Sequence, residues 1–138
     1  MITISSSGNL DVYLKRFIFE GLDSYAEEMT GSTAEMDQFS VSAHWGEELV
    51  GGLIGVIFWG SLQIDQIFVS PKFRSQGVGK ALMEEALAIA REKGCAFCTV
   101  ETMEFQAAEF YQQIGFKIEF KRTGYRDRHT LYFFRMDL

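Results

Sequence analysis

Apolar residues near the start of the chain recur at helical spacing. Leu10, Leu14, Phe17, Ile18 and Leu22 stand three or four positions apart, the period of one helix face. They predict a helix from Asn9 to about Glu28, with Asn9 as N-cap. Thr30 to Asp37 is expected to be a loop or a short second helix. The period then falls to two. Phe39, Val41, Ala43 and Trp45 alternate with polar residues, and Gly46-Glu47-Glu48 supplies a turn. Val50 to Trp59 is almost continuously apolar, which predicts a strand buried on both faces. Trp59-Gly60-Ser61 reads as a tight turn. Leu62, Ile64, Ile67 and Val69 predict a third strand that stops at Ser70-Pro71.

Beyond two closely spaced glycines the helical period returns. Val78, Leu82, Ala86, Ile89 and Ala90 form one stripe of a helix from Val78 to Lys93, with Gly94 as its stop. A strand is predicted over Cys95 to Glu101. A second amphipathic helix follows over Met103 to Ile114, with Ala107, Phe110, Tyr111 and Ile114 on one face. Two strands, Phe116 to Arg122 and Thr130 to Asp137, close the chain around the basic loop Thr123 to His129. The order is helix, three strands, helix, strand, helix, two strands. It predicts an α/β (α+β) sandwich around a mixed, mostly antiparallel sheet with helices on both faces. The first three strands read as an antiparallel meander, and Leu62 to Glu101 as a right-handed parallel crossover.

Composition narrows the function classes. With 138 residues, 47% of them hydrophobic, the chain suits one domain with a core of its own, spanning residues 1–138. The net charge of −6 argues against nonspecific nucleic-acid binding, which needs basic surface. The longest apolar stretch, Leu53 to Trp59, is too short to cross a bilayer, and the first residues lack a basic segment followed by an apolar one. A cytoplasmic protein without membrane or nucleic-acid partners is expected. Cys95 and Cys98 form a C-x-x-C, but one pair cannot complete a zinc site. Its strand-like surroundings lack the helix N-terminus that activates a redox thiol. His44 and His129 have no ligand-like spacing, so no metal is assigned.

The chemistry concentrates in Val69-Ser70-Pro71-Lys72-Phe73-Arg74-Ser75-Gln76-Gly77-Val78-Gly79-Lys80. A strand ends, a loop turns, and two glycines open a helix. Unpaired N–H groups and partial positive charge at a helix start attract anions. Gly77 and Gly79 leave room for a pyrophosphate against the main chain, and Arg74 adds a charge-assisted donor. The pattern also suits an ordinary loop-to-helix turn. A nucleotide P-loop is excluded because Ala81 follows Lys80 and Ser75 stands where a Gly is needed. A dinucleotide fingerprint fails at Leu82.

The run Arg74-x-x-Gly77-x-Gly79 between strand and helix resembles the pyrophosphate signature of the GNAT superfamily of acyl-CoA-dependent N-acyltransferases. Downstream, Ala107-Ala108-Glu109-Phe110-Tyr111-Gln112-Gln113-Ile114-Gly115-Phe116 resembles that family's second signature, an aromatic-Tyr pair followed by Gly-Phe. The resemblance covers almost the whole chain, with Leu62 to Phe116 as its specific core. Glu104-Phe105-Gln106-Ala107 is similar to a bacterial subgroup with Phe-Gln-Ala here. Glu104 departs from the Asn that many members carry.

The resemblance implies a GNAT-like fold and an N-acetyltransferase that takes acetyl-CoA as co-substrate. Residues Arg74, Ser75, Gln76, Gly77, Val78, Gly79 and Lys80 would hold the pyrophosphate. The pantetheine would pair with the backbone of Ile67, Phe68 and Val69 where two strands splay. A main-chain N–H near Phe68 or Val69 would polarise the thioester. No Ser or Cys nucleophile stands out, so direct attack by an amine in a ternary complex is expected. Tyr111 matches the family's tyrosine, which protonates the departing thiolate; the alternative is a ring packed in the helix face with its hydroxyl at the rim. Asp65 is the single carboxylate within Leu62–Val69 and a candidate base, or else an outward strand residue, with Glu101 as a second candidate. A small-molecule or peptide amine is the expected acceptor, and a homodimer is compatible with the chain. The basic residues Lys121, Arg122, Arg126 and Arg128 would either orient an anionic group on the acceptor or shield an edge strand. Two other classes stay open: a regulator that binds acyl-CoA without turnover, and an interaction domain using Trp45, Phe58 and Trp59.

Overall fold

The computed structural model describes residues 1–33 and 36–138. The chain divides into two compact units, Met1–Glu35 and Met36–Leu138. The first carries helix α1, Val12–Thr30. Its N-cap is Asp11 rather than Asn9: the Asp11 carboxylate accepts from the N–H groups of Tyr13 and Leu14 at 2.9 and 3.1 Å. Gly31 stops the helix in the left-handed conformation. Within the segment read as a loop or short helix, Thr30 still belongs to α1, and Ala34 and Glu35 lie outside the described residues.

Among the described residues of the second unit, six strands form one sheet: β1 Met36–Trp45, β2 Glu48–Phe58, β3 Ser61–Val69, β4 Phe97–Met103, β5 Lys117–Arg122 and β6 Leu131–Asp137. Their order is β1-β2-β3-β4-β6-β5. The first three make the expected meander, and β3 and β4 run parallel while every other pair is antiparallel. Helix α2, Val78–Glu92, crosses between β3 and β4. Helix α3, Ala108–Ile114, precedes β5.

Local chemistry explains the boundaries. Trp59 and Gly60, both at positive φ, make the two-residue link that suits the twist of a hairpin. The Gly94 N–H bonds Arg91 O and the Cys95 N–H bonds Ala90 O, which closes α2 and delays β4 to Phe97. Strand β2 is not uniformly buried. Gly51, Leu53 and Gly55 are buried while Ile54 and Phe58 are exposed. Gly55 is required by its neighbour: a Cβ there would lie 2.5 Å from the Phe39 ring across the strand pair.

Leu82, Met83, Ala86, Leu87 and Ala90 of α2 pack into a core with Leu53, Leu62, Ile64, Cys98, Val100, Tyr111, Phe116 and Phe134. The thiols of Cys95 and Cys98 are free and buried, part of this core and not a bridge. Phe134, 1% exposed, meets the rings of Tyr111 and Tyr132. Phe134→Ala should therefore destabilise the protein by about 3–5 kcal/mol, measured by urea unfolding.

Candidate active site

Strands β3 and β4 pair only from Ser61/Phe97 to Ile64/Val100. Beyond that point each keeps its outer partner, β3 with β2 and β4 with β6, and the two part. The cause lies in β3. Its register with β2 passes from Ile64↔Gly55 to Gln66↔Ile54 and leaves Asp65 without a partner. An extra residue in one strand bends it and re-aims the side chains beyond. The exposure pattern changes phase there: Leu62 and Ile64 are buried, Asp65 and Gln66 are both exposed, and Ile67 and Val69 are half-buried.

The gap is a cavity of about 250 Å³ lined by Asp65, Gln66, Ile67, Glu101, Thr102, Gln106, Ala107 and Tyr111, among others. Both candidate bases, Asp65 and Glu101, thus face the same space as Tyr111. A second cavity, of about 710 Å³, adjoins it. Its lining includes Ile67, Phe68, Val69, Arg74, Ser75, Gly77, Val78, Gly79 and Lys80, together with Phe73, Gln106, Ala107, Phe110 and Gln113. Of the residues assigned to the cofactor, Gln76 alone is outside this lining; its carboxamide instead donates to Lys72 O at 2.9 Å and braces the loop.

Gly77 is the N-cap of α2 at φ +83°, a conformation that costs other residues roughly 1–2 kcal/mol. No side chain caps the first turn of α2, and no acidic residue lies in it, so its N–H groups face the larger cavity without a built-in anion. Gly79 serves packing as well. A Cβ there would stand 3.3 Å from the Phe110 ring, so the glycine lets α3 close on the first turn of α2. The Arg74 Nε–H donates to Val69 O at 2.9 Å, which leaves the other guanidinium nitrogens for a phosphate. The Val69 carbonyl accordingly already holds one partner.

Tyr111 is 3% exposed, with its ring against Phe110, Phe116 and Phe134. Desolvation, with a smaller contribution from the nearby Cys98, pushes its phenol up to about 12. It remains a proton donor at every ordinary pH. Desolvation also pushes the Cys98 thiol up to about 12, as expected of a structural rather than a reactive sulfur.

The helix predicted from Met103 begins only at Ala108. Met103 is held in β4 opposite Leu131, and residues 104–106 form a turn. Glu104 occupies that turn. Its Oε1 accepts from His129 Nδ1–H at 2.7 Å and its Oε2 from the Thr130 N–H at 2.9 Å. The His129 hydrogen bond, aided by Thr130 and opposed by desolvation, holds the carboxyl below the usual range. Phe105 packs edge-on to the His129 ring. These contacts bind the turn to the end of the loop before β6. That loop does not line either cavity: neither Arg126 nor Arg128 is in the cleft lining, and Lys121 and Arg122, at the end of β5, lie over the rings of Tyr132 and Phe133.

Residues 9–116 match the family model described as Acetyltransferase (GNAT) family. The chain belongs to this family. Among its relatives, the blasticidin-S acetyltransferase of Streptomyces morookaense is 43% identical over 72 residues, 51% of this chain and 53% of that protein. The match thus spans about half of each chain. An acetyltransferase from Bacillus cereus superposes with a TM-score of 0.81 at 25% identity, covering 97% of this chain and 98% of that one. A protein described as a streptothricin acetyltransferase of Bacillus anthracis, solved with acetyl coenzyme A, gives a TM-score of 0.69 at 22% identity, over 75% and 64% of the two chains. In this GNAT chain the departure at Glu104 has a structural use, since its carboxylate spends both oxygens on His129 and Thr130.

Sequence reasoning missed Gln106 as a site residue. It lines both cavities, and its only signal was the Phe-Gln-Ala string. The raised pKa values also carry a sign. Between about pH 10, the ordinary value for Tyr111, and about 12, the folded state keeps a phenol proton that the unfolded chain releases. For Cys98 the window opens at about 9. Stability should therefore fall as pH rises through this range. Tyr111→Phe should lose less than the parent between pH 8 and 11, measured as urea midpoints.

Proposed function

We propose that this chain transfers an acetyl group from acetyl-CoA to a primary amine by direct attack in a ternary complex. The observation that carries the reading is the junction of two cavities at the parting of β3 and β4. One has an uncapped helix start and Arg74 for a pyrophosphate; the other has two carboxylates to take a proton and a phenol to donate a hydrogen bond. The acetyl coenzyme A bound to a neighbour of the same fold supports this cofactor. Relatives named as peptidyl-lysine and glucosamine 6-phosphate N-acetyltransferases support an amine as the acceptor.

In this reading the diphosphate lies on the first turn of α2, with Arg74 and the loop from Ser75 to Lys80 around it. The pantetheine follows the free edge of β3 at Ile67, Phe68 and Val69. The amine enters beside Asp65 and Glu101, and one of these accepts its proton. The amine nitrogen attacks the thioester carbon, the intermediate collapses with loss of the C–S bond, and Tyr111 faces the departing sulfur. A phenol near 12 would transfer its proton to an ordinary thiolate only uphill, by roughly 5 kcal/mol. Tyr111 thus acts chiefly by donating a hydrogen bond to the sulfur as charge develops, and the thiolate takes its final proton after release.

Acetyl-CoA should raise the melting temperature more than NAD or ATP at equal concentration, because a ligand that binds only the native state stabilises it. Equal shifts from all three would reduce the cleft to a generic anion site, and a turnover screen across amine classes then separates an enzyme from a silent binder. Tyr111→Phe should lower the single-turnover rate by roughly 10²-fold while acetyl-CoA affinity stays within a few-fold. An unchanged rate would return the ring to a packing role.

A further inference from the structure

Gln106 sits where the two cavities meet. Only Ile67, Gln106 and Ala107 are common to both linings, and of these only Gln106 has a polar side chain. Its conformation is fixed from both ends. The Gln106 N–H donates to Met103 O at 3.0 Å, and the Met103 N–H donates back to Gln106 Oε1 at 3.1 Å. The Thr102 hydroxyl approaches the same oxygen at 3.4 Å. A backbone N–H can only donate, so the atom facing it must be the carboxamide oxygen. The amide orientation follows, and Nε2 is the end left over. Among the described residues it makes no hydrogen bond within the protein, and the side chain is exposed at the cleft.

We propose that the Gln106 carboxamide is a catalytic hydrogen-bond donor to the thioester carbonyl of the bound acyl-CoA. The inference rests on the acyltransferase reading above. With the diphosphate at the α2 start and the amine beside Asp65 and Glu101, the reacting carbonyl has to lie at the boundary between the cavities, where Ile67, Gln106 and Ala107 stand. When the amine nitrogen bonds to the carbonyl carbon, the π pair moves onto oxygen. When the C–S bond breaks, that pair returns to re-form the carbonyl. A fixed N–H donor stabilises the charge on oxygen between those two events and needs no reorganisation, because the Met103 bonds have already set its direction. The donor is neutral, so it also leaves the nearby carboxylates free to take the amine proton.

The test uses the full chain saturated with acetyl-CoA carrying a 13C label at the acetyl carbonyl. Gln106→Glu keeps the acceptor that the Met103 N–H requires and removes the donor. Gln106→Met removes both at similar volume, guards against an effect of the added charge, and serves alone if the first variant does not fold. In the parent the bound carbonyl stretch should move to lower wavenumber than in free acetyl-CoA, and a measurable part of that displacement should vanish in either variant, while a main-chain N–H of β3 keeps the rest. The single-turnover rate should fall by roughly 10²–10³-fold, with acetyl-CoA affinity changed less than about tenfold. A carbonyl signature and a rate that both survive in a folded, saturated variant would overturn the assignment and leave Gln106 as a brace of the turn. If the parent itself fails to bind acetyl-CoA, the proposed function falls, and this inference with it.

Discussion

One unpartnered residue in β3 organises the functional half of the molecule. Parallel pairing would otherwise carry β3 and β4 side by side to their ends and fill the space between them with ladder bonds. The extra residue at Asp65 bends β3 away after Ile64. Sheet continuity is kept, because each strand retains its outer neighbour, so the gap opens in a well-ordered framework and not in a loop. Along its rim lie the freed edge of β3, the carboxylates at Asp65 and Glu101, Tyr111 from α3 and Gln106 from the turn before it. A cleft framed by paired strands suits the proposed acetyl transfer, whose catalysis would rest mostly on placement and fixed dipoles.

The layered α/β architecture and the strand order of the meander follow from periodicity, and both glycine-rich and aromatic signatures were legible. The irregularity in β3 was legible too, though easy to pass over. Leu62 and Ile64 are two apart, Ile67 and Val69 are two apart, but the step between the pairs is three, which a regular strand cannot bury on one face. The boundaries that failed are those set by tertiary contacts. Met103 has a helix-compatible pattern, yet β6 pairing holds it in a strand. Asn9 looks like a cap, but the Asp11 carboxylate two residues on reaches the helix N–H groups. Gln106 could not be found from spacing, since its orientation depends on a reciprocal bond with Met103 that only the folded turn creates.

Glu104 shows how a departure from a family pattern is absorbed. A carboxylate in a cofactor cleft would repel a phosphorylated ligand if it faced it. Here both of its oxygens are turned to His129 and Thr130, and the charge is spent on joining two loops that flank β4 and β6. Two basic residues at the end of β5 are likewise occupied, with Lys121 and Arg122 over aromatic rings. The smaller cavity is lined by Asp65, Gln66 and Glu101 and not by this charged hairpin.

The contact between Gly79 and Phe110 has a consequence for how such a chain can change over time. The glycine belongs to the segment proposed to hold a diphosphate, and the phenylalanine precedes Tyr111 by one position. A Cβ at residue 79 would stand 3.3 Å from the Phe110 ring, which would have to give by a few tenths of an ångström. Drift at residue 79 is therefore eased by a smaller residue at 110, which ties the two signatures to each other through one contact.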